Sequence, residues 1–315
     1  MRAFVTDVRG EVWELPPAQK WEMEYGIGTP CDSFFLTCPW NLAEENRPKD
    51  WVRFHAEHEG KRVFTGVVDE CEISLSARGC VLEISGRGMA ALLLDNEALG
   101  EDYQLASLED ILRDHVTPCG IEAVQPPGLP GVPRFRVETG SSEWTVLERF
   151  LRAAGGGVPR FDVFGRLVLS GQWQQEQLLI GEDTPLTQLL RRDRRYGVLS
   201  EVLVRDRYSG AVTTVKHDAF CAAGGRARRV ITMPGRAGRH EMYDAGQEQL
   251  RRAEKEWEEL EVTIPAPFWA MPGQLVRLER AAAGFGGAFR VAKSAVGAND
   301  AGYWTRLTLH SAEDM

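Results

Sequence analysis

The chain has 315 residues, of which 43% are hydrophobic and 26% are charged, a composition ordinary for a globular protein of two or three domains. Its 37 basic and 46 acidic residues give a net charge of -9, which argues against a protein that mainly grips nucleic-acid phosphates. The first stretch of sequence lacks an apolar segment and no run is long enough to span a bilayer, so we expect no signal peptide and no membrane contact.

The sequence of residues 1–97 predicts a first small β-barrel domain, to which later strands can be added. Short stretches of alternating apolar and polar residues are separated by turn residues at Glu59–Gly60 and Arg78–Gly79. The alternation places Val52 on the same face of its strand as Phe54. Evenly spaced short strands of this kind are typical of small barrels and sandwiches.

Residues 98–175 predict an α+β middle domain. Ser107 and Asp110 form the capping pattern that begins an amphipathic helix. A loop rich in proline and glycine follows at Gln125–Pro133, and a second helix ends at a run of three glycines. A hairpin with its turn near Gly165 completes the domain.

Residues 176–315 predict a second β-barrel domain that contains one helix near residues 244–259. Asp244 is the expected N-cap of that helix, and Leu250 and Trp257 lie on its apolar side. Short alternating strands occupy most of the remaining segment. The predicted fold class is therefore α+β and mostly β, with two small β-barrel domains and an α/β domain between them.

Six cysteines are spread over the chain without the paired spacing of a metal site or the density of a disulfide framework. We therefore expect reduced thiols in a protein made in the cytosol. They are Cys31, Cys38, Cys71, Cys80, Cys119 and Cys221.

The stretch "SGRGMAALLLDN" at residues 85–96 raises the question of a nucleotide site. Gly86, Gly88 and Ala91 follow the spacing G-x-G-x-x-A between a predicted strand and a short helix, as in a dinucleotide-binding turn. Such a site also needs a second parallel strand ending in an acidic residue about 20 positions later, and no such strand is predicted. The pattern is therefore interpreted as the exit from a barrel strand, and no residue is assigned to cofactor binding.

The histidines do not predict a metal site. His55 and His58 lie three positions apart on a predicted strand, where their side chains point to opposite faces. His217 and Cys221 form a lone pair without a second pair of ligands. No metal ligand is therefore assigned.

Motifs of nucleophilic and phosphate chemistry are missing from the sequence. There is no G-x-S-x-G elbow and no P-loop lysine, and the plentiful acidic residues single out no catalytic pair. No catalytic residue is assigned, and we expect a protein that is not an enzyme.

An arginine cluster, residues 226–239, carries five arginines and no acid. It is either a solvated loop around one strand or a docking arm for the acidic surface of a partner. Nucleic-acid binding is less favoured, because aromatic residues are not interleaved with the arginines.

A series of residues in the first domain fits F-x-G-x-[VI]-[DE], then G-R, then a short helix ending in L-[VIL]-D. These residues are Phe64, Gly66, Val68, Asp69, Gly86, Arg87, Leu93 and Asp95. In that order the motifs resemble the baseplate hub proteins of contractile-tailed phages, the Mu-like hub or late-control family. Later segments resemble the same family in the same order: residues 107–121, residues 140–171, and the closing strands "PGQLVRLE", "FRVAKSAVG" and "YWTRLTLHSAED".

The resemblance covers nearly the whole chain and implies a structural hub protein in the baseplate of a contractile phage tail or tail-like particle, assembled in the bacterial cytoplasm. It implies a homotrimeric ring that joins the sixfold tail tube to the threefold central spike and continues the tail channel. The implied partners are its own copies, the tail tube protein, the central spike protein and the tape-measure protein, with baseplate wedge proteins as further candidates. DNA would meet the chain only in transit through the channel.

Two alternatives stay open. One is a hub-like protein with added cell-wall hydrolase activity, which would normally need a further domain, whereas the hub-like pattern takes up this chain. The other, least favoured, is a nucleotide-binding enzyme that uses the turn at Gly86.

Overall fold

The structure, a computed structural model, describes residues 1–27, 31–41, 48–77, 79–124, 127–169, 177–233, 236–254, 258–280 and 285–312. These residues form mostly strands and a few helices, which confirms the predicted α+β, mostly β class. Among the helices so described, none has both the length and the apolar character needed to cross a membrane.

Strands are numbered in chain order over the described residues. The first twelve are β1 (Arg2–Asp7), β2 (Val12–Glu14), β3 (Lys20–Gly26), β4 (Ser33–Pro39), β5 (Trp51–His58), β6 (Lys61–Ser76), β7 (Gly79–Gly88), β8 (Glu101–Ala106), β9 (Ala123–Val124), β10 (Val132–Val137), β11 (Arg160–Phe161) and β12 (Leu167–Val168). The rest are β13 (Leu178–Ile180), β14 (Gln188–Asp193), β15 (Glu201–Asp206), β16 (Val212–Lys216), β17 (Arg228–Met233), β18 (Glu258–Ile264), β19 (Leu275–Arg280), β20 (Phe285–Asn299) and β21 (Gly302–Ser311).

The α-helices are short, apart from two. They are α1 (Ala91–Leu94), α2 (Leu108–Ile111), α3 (Glu143–Ala153), α4 (Asp218–Ala222) and α5 (Arg239–Glu254). A π-helix at Leu112–Val116 continues α2, and 3-10 turns lie at Pro48–Asp50 and Thr117–Cys119.

The chain divides into two compact units. The first contains residues 1–175, 265–273 and 293–305, and the second contains residues 176–264, 274–292 and 306–315. Strands β20 and β21 therefore supply residues to both units. The predicted boundaries after residues 97 and 175, and the closure of the strands into two barrels, stay predictions.

In the first unit the main sheet runs β20-β3-β4-β7-β6-β5-β1-β2, with every neighbouring pair antiparallel. Side chains on its inner face form a core that includes stacked aromatic rings. The rings of Phe34 and Phe54 lie parallel with centroids 3.7 Å apart, and Phe64 meets Phe34 edge-on at 5.5 Å. Such contacts add to the burial of apolar area, which is the main source of stability.

The hairpin turns follow the predicted chemistry. Glu59 and Gly60 both have positive φ, 51° and 75°, as a two-residue hairpin turn requires, so this turn is confirmed. Ser76 pairs with Gly79 across the next turn, whose predicted residue Arg78 lies outside the described residues.

The prediction of which β5 residues face inward is wrong at the start of the strand. Val52 is 36% exposed and Trp51 is 5% exposed, so the tryptophan takes the inward position. The cause is a shift in register against β1, where Thr6 pairs with Arg53 and Asp7 pairs with Trp51. The extra residue in β5 reverses the alternation at that point.

The helical part of the first unit packs against two small sheets, β8-β10 and β11-β12-β9. The predicted cap of α2 is confirmed: the Ser107 hydroxyl accepts from the Asp110 N–H at 3.1 Å, and the Asp110 carboxylate accepts from the Ser107 N–H at 3.1 Å. The turn at Gly165, with φ of 78°, is also confirmed. The predicted proline loop ends early, because β10 begins at Val132; its first residues, 125–126, lie outside the described residues.

In the second unit β14 and β21 flank β18, while β19 pairs with β20 and, in parallel, with β13. A separate three-stranded sheet runs β16-β15-β17. Helix α5 packs on it, and Val202, Val204 and Leu250 are buried in the resulting core, as their spacing predicts.

The predicted bounds of α5 are wrong at both ends. The helix begins at Arg239, so Asp244 is not its N-cap but lies one turn inside, within 3.5 Å of His240. The N–H of Gly238 instead donates to the Glu241 carboxylate at 2.7 Å. At the other end β18 begins at Glu258, and the predicted helix residue Trp257 lies outside the described residues.

Candidate functional site

The glycine pattern at residues 86–88 lies inside a strand and is not a turn before a helix. Gly86 belongs to β7 and pairs with Phe34 of β4 on one side and Val68 of β6 on the other. A Cβ atom at Gly86 would lie 2.0 Å from the carbonyl oxygen of Val67, so only glycine fits. The interpretation of these glycines as an exit from the strand is therefore corrected for Gly86, which permits close contact within the sheet. Gly88 is the last residue of β7 and lies at its exit.

Gly66 has the same role on the neighbouring strand. A Cβ atom there would lie 2.1 Å from the carbonyl oxygen of Arg87. Helix α1 begins only at Ala91 and has four residues, with Ala90 at its N-cap and no side-chain cap. The stretch thus lacks the glycine-to-helix geometry by which a dinucleotide turn holds phosphates.

The charged residues of the same motif meet at one point, the Arg87 junction, formed by Asp69, Arg87 and Asp95. The Arg87 Nε and Nη2 donate to the two Asp69 oxygens at 2.7 and 3.0 Å. Its Nη1 and Nη2 donate to the two Asp95 oxygens at 2.9 and 2.6 Å. One guanidinium therefore holds two carboxylates, each through two hydrogen bonds.

A β-bulge explains how Asp69 reaches the junction. Val68 pairs with Gly86 and Glu70 pairs with Ser85, so Asp69 is the unpaired extra residue of β6. Such a bulge re-aims the side chain of the residue that it adds. Asp95 is the C-cap residue of α1, so the junction ties β6 and β7 to the end of that helix.

The junction is partly exposed and strongly charged. The side chains of Arg87, Asp69 and Asp95 are 36%, 35% and 56% exposed. Hydrogen bonds from Arg87 hold the pKa of the Asp95 carboxyl below its usual range, and those to Asp69 and Asp95 raise the pKa of Arg87. Arg87 and Asp95 are therefore both charged at neutral pH, which suits a structural ion pair.

A cavity of about 270 Å³ lies in the same unit, walled by Phe64, Thr65, Trp144 and Phe161 among others. Thr65 donates to the carbonyl of Val163 at 2.7 Å, which joins β6 to the turn between β11 and β12. The cavity is thus placed where the main sheet meets the helical part of the unit.

Asp32 and Cys31 also line this cavity. Asp32 accepts one hydrogen bond from the Gly26 N–H at 2.9 Å, and its backbone carbonyl accepts from the Gly88 N–H at 2.7 Å. Burial raises the pKa of the Asp32 carboxyl to about 6 and that of the Cys31 thiol to about 12. The thiol is therefore protonated at neutral pH, and it donates to the Gly88 carbonyl at 3.3 Å.

The sequence did not indicate a second buried network, around His115. The His115 ring is 4% exposed, and its Nδ1 lies 2.7 Å from the Glu143 carboxylate. Its Nε2 lies 3.2 Å from the Tyr103 hydroxyl, whose single proton has two carboxylate acceptors within reach, Glu101 at 2.9 Å and Asp114 at 3.0 Å. These residues come from three elements, and Glu143 lies 28 positions from His115, so no local spacing indicates that they meet.

The histidines considered as metal ligands have separate partners. His55 stacks on Phe4 with ring centroids 4.7 Å apart, and His58 lies 5.5 Å from the ring of Trp269. His217 caps α4 by accepting from the Phe220 N–H at 3.1 Å. Over the part of the chain that the structure describes, no group of three or more His, Cys, Asp or Glu side chains could hold a metal ion.

The arginine cluster surrounds β17, and three of its five arginines are bonded within the second unit. Arg226 donates to the carbonyls of Cys221 and Gly225, Arg228 pairs with Glu201, and Arg229 donates to Gln249 at 3.1 Å. The predicted strand is present, and the guanidinium groups remain exposed on it. Both interpretations of the cluster, solvated loop and docking arm, stay open at this point.

Solved structures of tail proteins have the same fold along the whole chain. The 43 kDa tail protein of prophage MuSo2 from Shewanella oneidensis is 18% identical, with a TM-score of 0.80 over 100% of this chain and 99% of that protein. The tail protein from Neisseria meningitidis MC58 is 17% identical, with a TM-score of 0.77 over 99% and 96% of the two chains.

A third similar structure is the c3393 protein of E. coli, a component of the type VI secretion system that exhibits structural similarity to the T4 bacteriophage tail proteins gp27 and gp5. It is 13% identical, with a TM-score of 0.62 over 100% of this chain and 78% of that protein. No protein-family model and no curated protein matches the sequence. The chain therefore has the fold of phage tail and hub-like proteins, and its resemblance to the baseplate hub family is confirmed at the level of the fold.

Proposed function

We propose that this chain is the structural hub protein of the baseplate in a contractile phage tail or tail-like particle. The observation that supports this function most strongly is the likeness to two tail proteins, one of them from a prophage, over nearly the full length of all three chains. The order of the sequence motifs supports it independently, because that order depends on the residues alone and not on the fold.

In this proposal three copies form a ring that joins the sixfold tail tube to the threefold central spike. The ring continues the tail channel, through which the tape-measure protein and then DNA pass. The net charge of -9 suits this role, because a negatively charged protein repels phosphates and binds passing DNA weakly. Wedge proteins of the baseplate are further candidate partners.

The proposed mechanism is transmission of force, without bond chemistry. A hub must carry load from tube to spike without local unfolding, and the first unit has two ties suited to that task. One is the Arg87 junction between β6, β7 and α1. The other is the contact of Thr65 with the Val163 carbonyl. The paired hydrogen bonds of the Arg87 junction fix its geometry at several points, whereas the Thr65 contact is a single hydrogen bond.

The experiment is the mass of the purified chain by sedimentation equilibrium, alone and with purified tail tube and spike proteins. We expect a species of three times 35.2 kDa that binds both proteins. A chain that stays monomeric at high concentration and binds neither protein contradicts the proposal.

A further inference from the structure

Strand β8 in the first unit presents an acidic, partly apolar edge. Among the described residues it pairs on one side only, with β10. Glu101 and Asp102 are exposed on it, and Leu105 is 65% exposed. Residues 95–102 carry four acids and no base. Asp95 pairs with Arg87 and Asp102 pairs with Arg136 of β10 at 3.7 Å, so Glu97 and Glu101 supply the net negative charge near this edge.

Strand β17 in the second unit presents an edge of the opposite charge. Over the described part of the chain it too pairs on one side only, in parallel with β15. Arg228 and Arg229 are exposed on it, and Val230 is 61% exposed. The arginine cluster that contains the strand has five bases and no acid.

Open edges of this kind are normally protected, because unpaired N–H and C=O groups recruit strands from other molecules. The two edges match each other in three ways. Each strand has six residues, each exposes one large apolar side chain, and their charges are opposite. An added strand gains main-chain hydrogen bonds for affinity and side-chain contacts for specificity.

We propose that neighbouring copies of this chain contact each other through the β8 edge of one copy and the β17 edge of the next. The contact joins two different surfaces, so it is head-to-tail, and contacts of that type close into rings when the rotation between copies allows. This inference rests on the proposed function, since it assigns the surfaces that hold the ring together. It also gives the arginine cluster a binding partner, which is the acidic edge of a second copy.

The first test is a charge exchange, read by sedimentation velocity over a range of concentrations. Reversing both arginines, Arg228→Glu with Arg229→Glu, should weaken trimer formation by about 100-fold or more, because like charges then face each other. Reversing the charge of both acids, Glu101→Arg with Asp102→Arg, should weaken trimer formation by a similar factor. Combining all four changes should restore assembly to within about tenfold of the wild type. Rescue of this kind cannot come from misfolding.

A matched control uses Arg251 and Arg252 on α5. Both are exposed and both pair with Glu248 of their own chain, as Arg228 pairs with Glu201. Changing Arg251→Glu with Arg252→Glu alters the net charge by the same amount and should leave trimer formation nearly unchanged.

The second test is cross-linking between two preparations, one with Leu105→Cys and one with Val230→Cys. Under mild oxidation the mixture should give a covalent dimer well above the background of the native cysteines, whereas each preparation alone should not. Dimers from one preparation alone would show a contact between like surfaces and overturn the inference.

The outcomes separate the inference from the proposed function. A wild-type trimer whose assembly is unchanged by both charge reversals overturns the inference and leaves the hub function standing. The same holds if the four-residue exchange fails to rescue assembly. It also holds if the Leu105→Cys and Val230→Cys variants form disulfide cross-links with each other neither alone nor in the mixture, while tube or spike protein blocks oxidation at those positions. A wild-type chain that never assembles and binds neither tube nor spike protein overturns both.

Discussion

Arg87 and Asp69, on neighbouring strands of the first unit, are joined by two hydrogen bonds, from Nε to Oδ2 at 2.7 Å and from Nη2 to Oδ1 at 3.0 Å. Asp69 reaches Arg87 because it is the extra residue of a β-bulge. The same guanidinium holds Asp95 at the end of α1. Asp69, Arg87 and Asp95, which belong to the sequence motif of the hub family, are thus in contact through Arg87 in the fold.

Removing this contact should loosen the first unit. We expect Arg87→Ala to lower the free energy of unfolding by about 1–2 kcal/mol, since four charge-assisted hydrogen bonds are lost at a partly exposed site. Arg87→Lys should recover less than half of that loss, because an ammonium cannot bind two carboxylates in the same two-point geometry. Urea denaturation of the purified chain measures both values.

The control for this change is Arg113→Ala. Arg113 also bonds two carboxylates, Asp110 and Asp114, but they are close in sequence and Arg113 is 61% exposed. Its loss should lower the free energy of unfolding clearly less than the loss of Arg87 does, because exposed ion pairs contribute little. Equal losses for Arg87 and Arg113 would mean that the junction does not tie the unit together.

Gly86→Ala should destabilise the chain by more than about 3 kcal/mol or prevent folding, because the new Cβ would lie 2.0 Å from the Val67 carbonyl oxygen and 2.6 Å from the Phe34 ring. Gly26→Ala is the matched change on β3, two strands away in the same sheet, where a Cβ meets nothing within 4 Å. Thermal unfolding of the two variants compares them directly. A Gly86→Ala chain as stable as Gly26→Ala would contradict the account of close strand contact.

Asp32 should make stability fall as pH rises. Burial raises the pKa of its carboxyl to about 6 in the folded chain, above the value of about 4 in an unfolded chain. The folded chain therefore binds the proton more tightly, so the contribution of Asp32 to the unfolding free energy decreases between about pH 4 and pH 6. Asp32→Asn should remove this dependence and make the chain more stable than wild type at pH 7, by about 2 kcal/mol.

The contribution of Asp95 to the free energy of unfolding changes with pH in the opposite direction. Its pKa is lowered by Arg87, so its contribution is present above the unfolded value and is lost as pH falls. Asp95→Asn should therefore destabilise the chain at pH 7 and have little effect near pH 2. Unfolding curves for both variants across pH 2–8 test the two slopes, and parallel slopes would refute the assignment for Asp32.

Glu143→Ala should cost about 2 kcal/mol, because it leaves the Nδ1 of the buried His115 ring without its carboxylate partner. Glu148→Ala, one turn further along α3, removes an exposed pair with Arg152 and should cost about 0.5 kcal/mol or less. Guanidinium unfolding gives the two values. A difference smaller than the error of the measurement would mean that the buried pair contributes nothing.

Local chemistry allowed parts of this fold to be predicted from the sequence. The hairpin turn at Glu59–Gly60 and the cap of α2 at Ser107 and Asp110 depend on residues that are neighbours in the chain. Such features are specified by backbone preferences and short hydrogen bonds, so one sequence is enough to find them.

Other features depend on contacts between distant segments and could not be predicted. The bulge that turns Trp51 inward and Val52 outward is set by the register against β1. Local rules do not single out the start of α5 at Arg239, because Asp244 is an equally good cap by the same rules. The motif pointed to Asp69, Arg87 and Asp95, but nothing in their spacing of 18 and 8 positions predicted that they touch.

The most direct test of the hub proposal is cryo-electron microscopy of the chain assembled with its tail tube and central spike proteins. The account predicts three copies of this chain in a ring, with the tube on one side, the spike on the other and an open channel through the middle. A complex with another number of copies, or with this chain outside the junction of tube and spike, would contradict it.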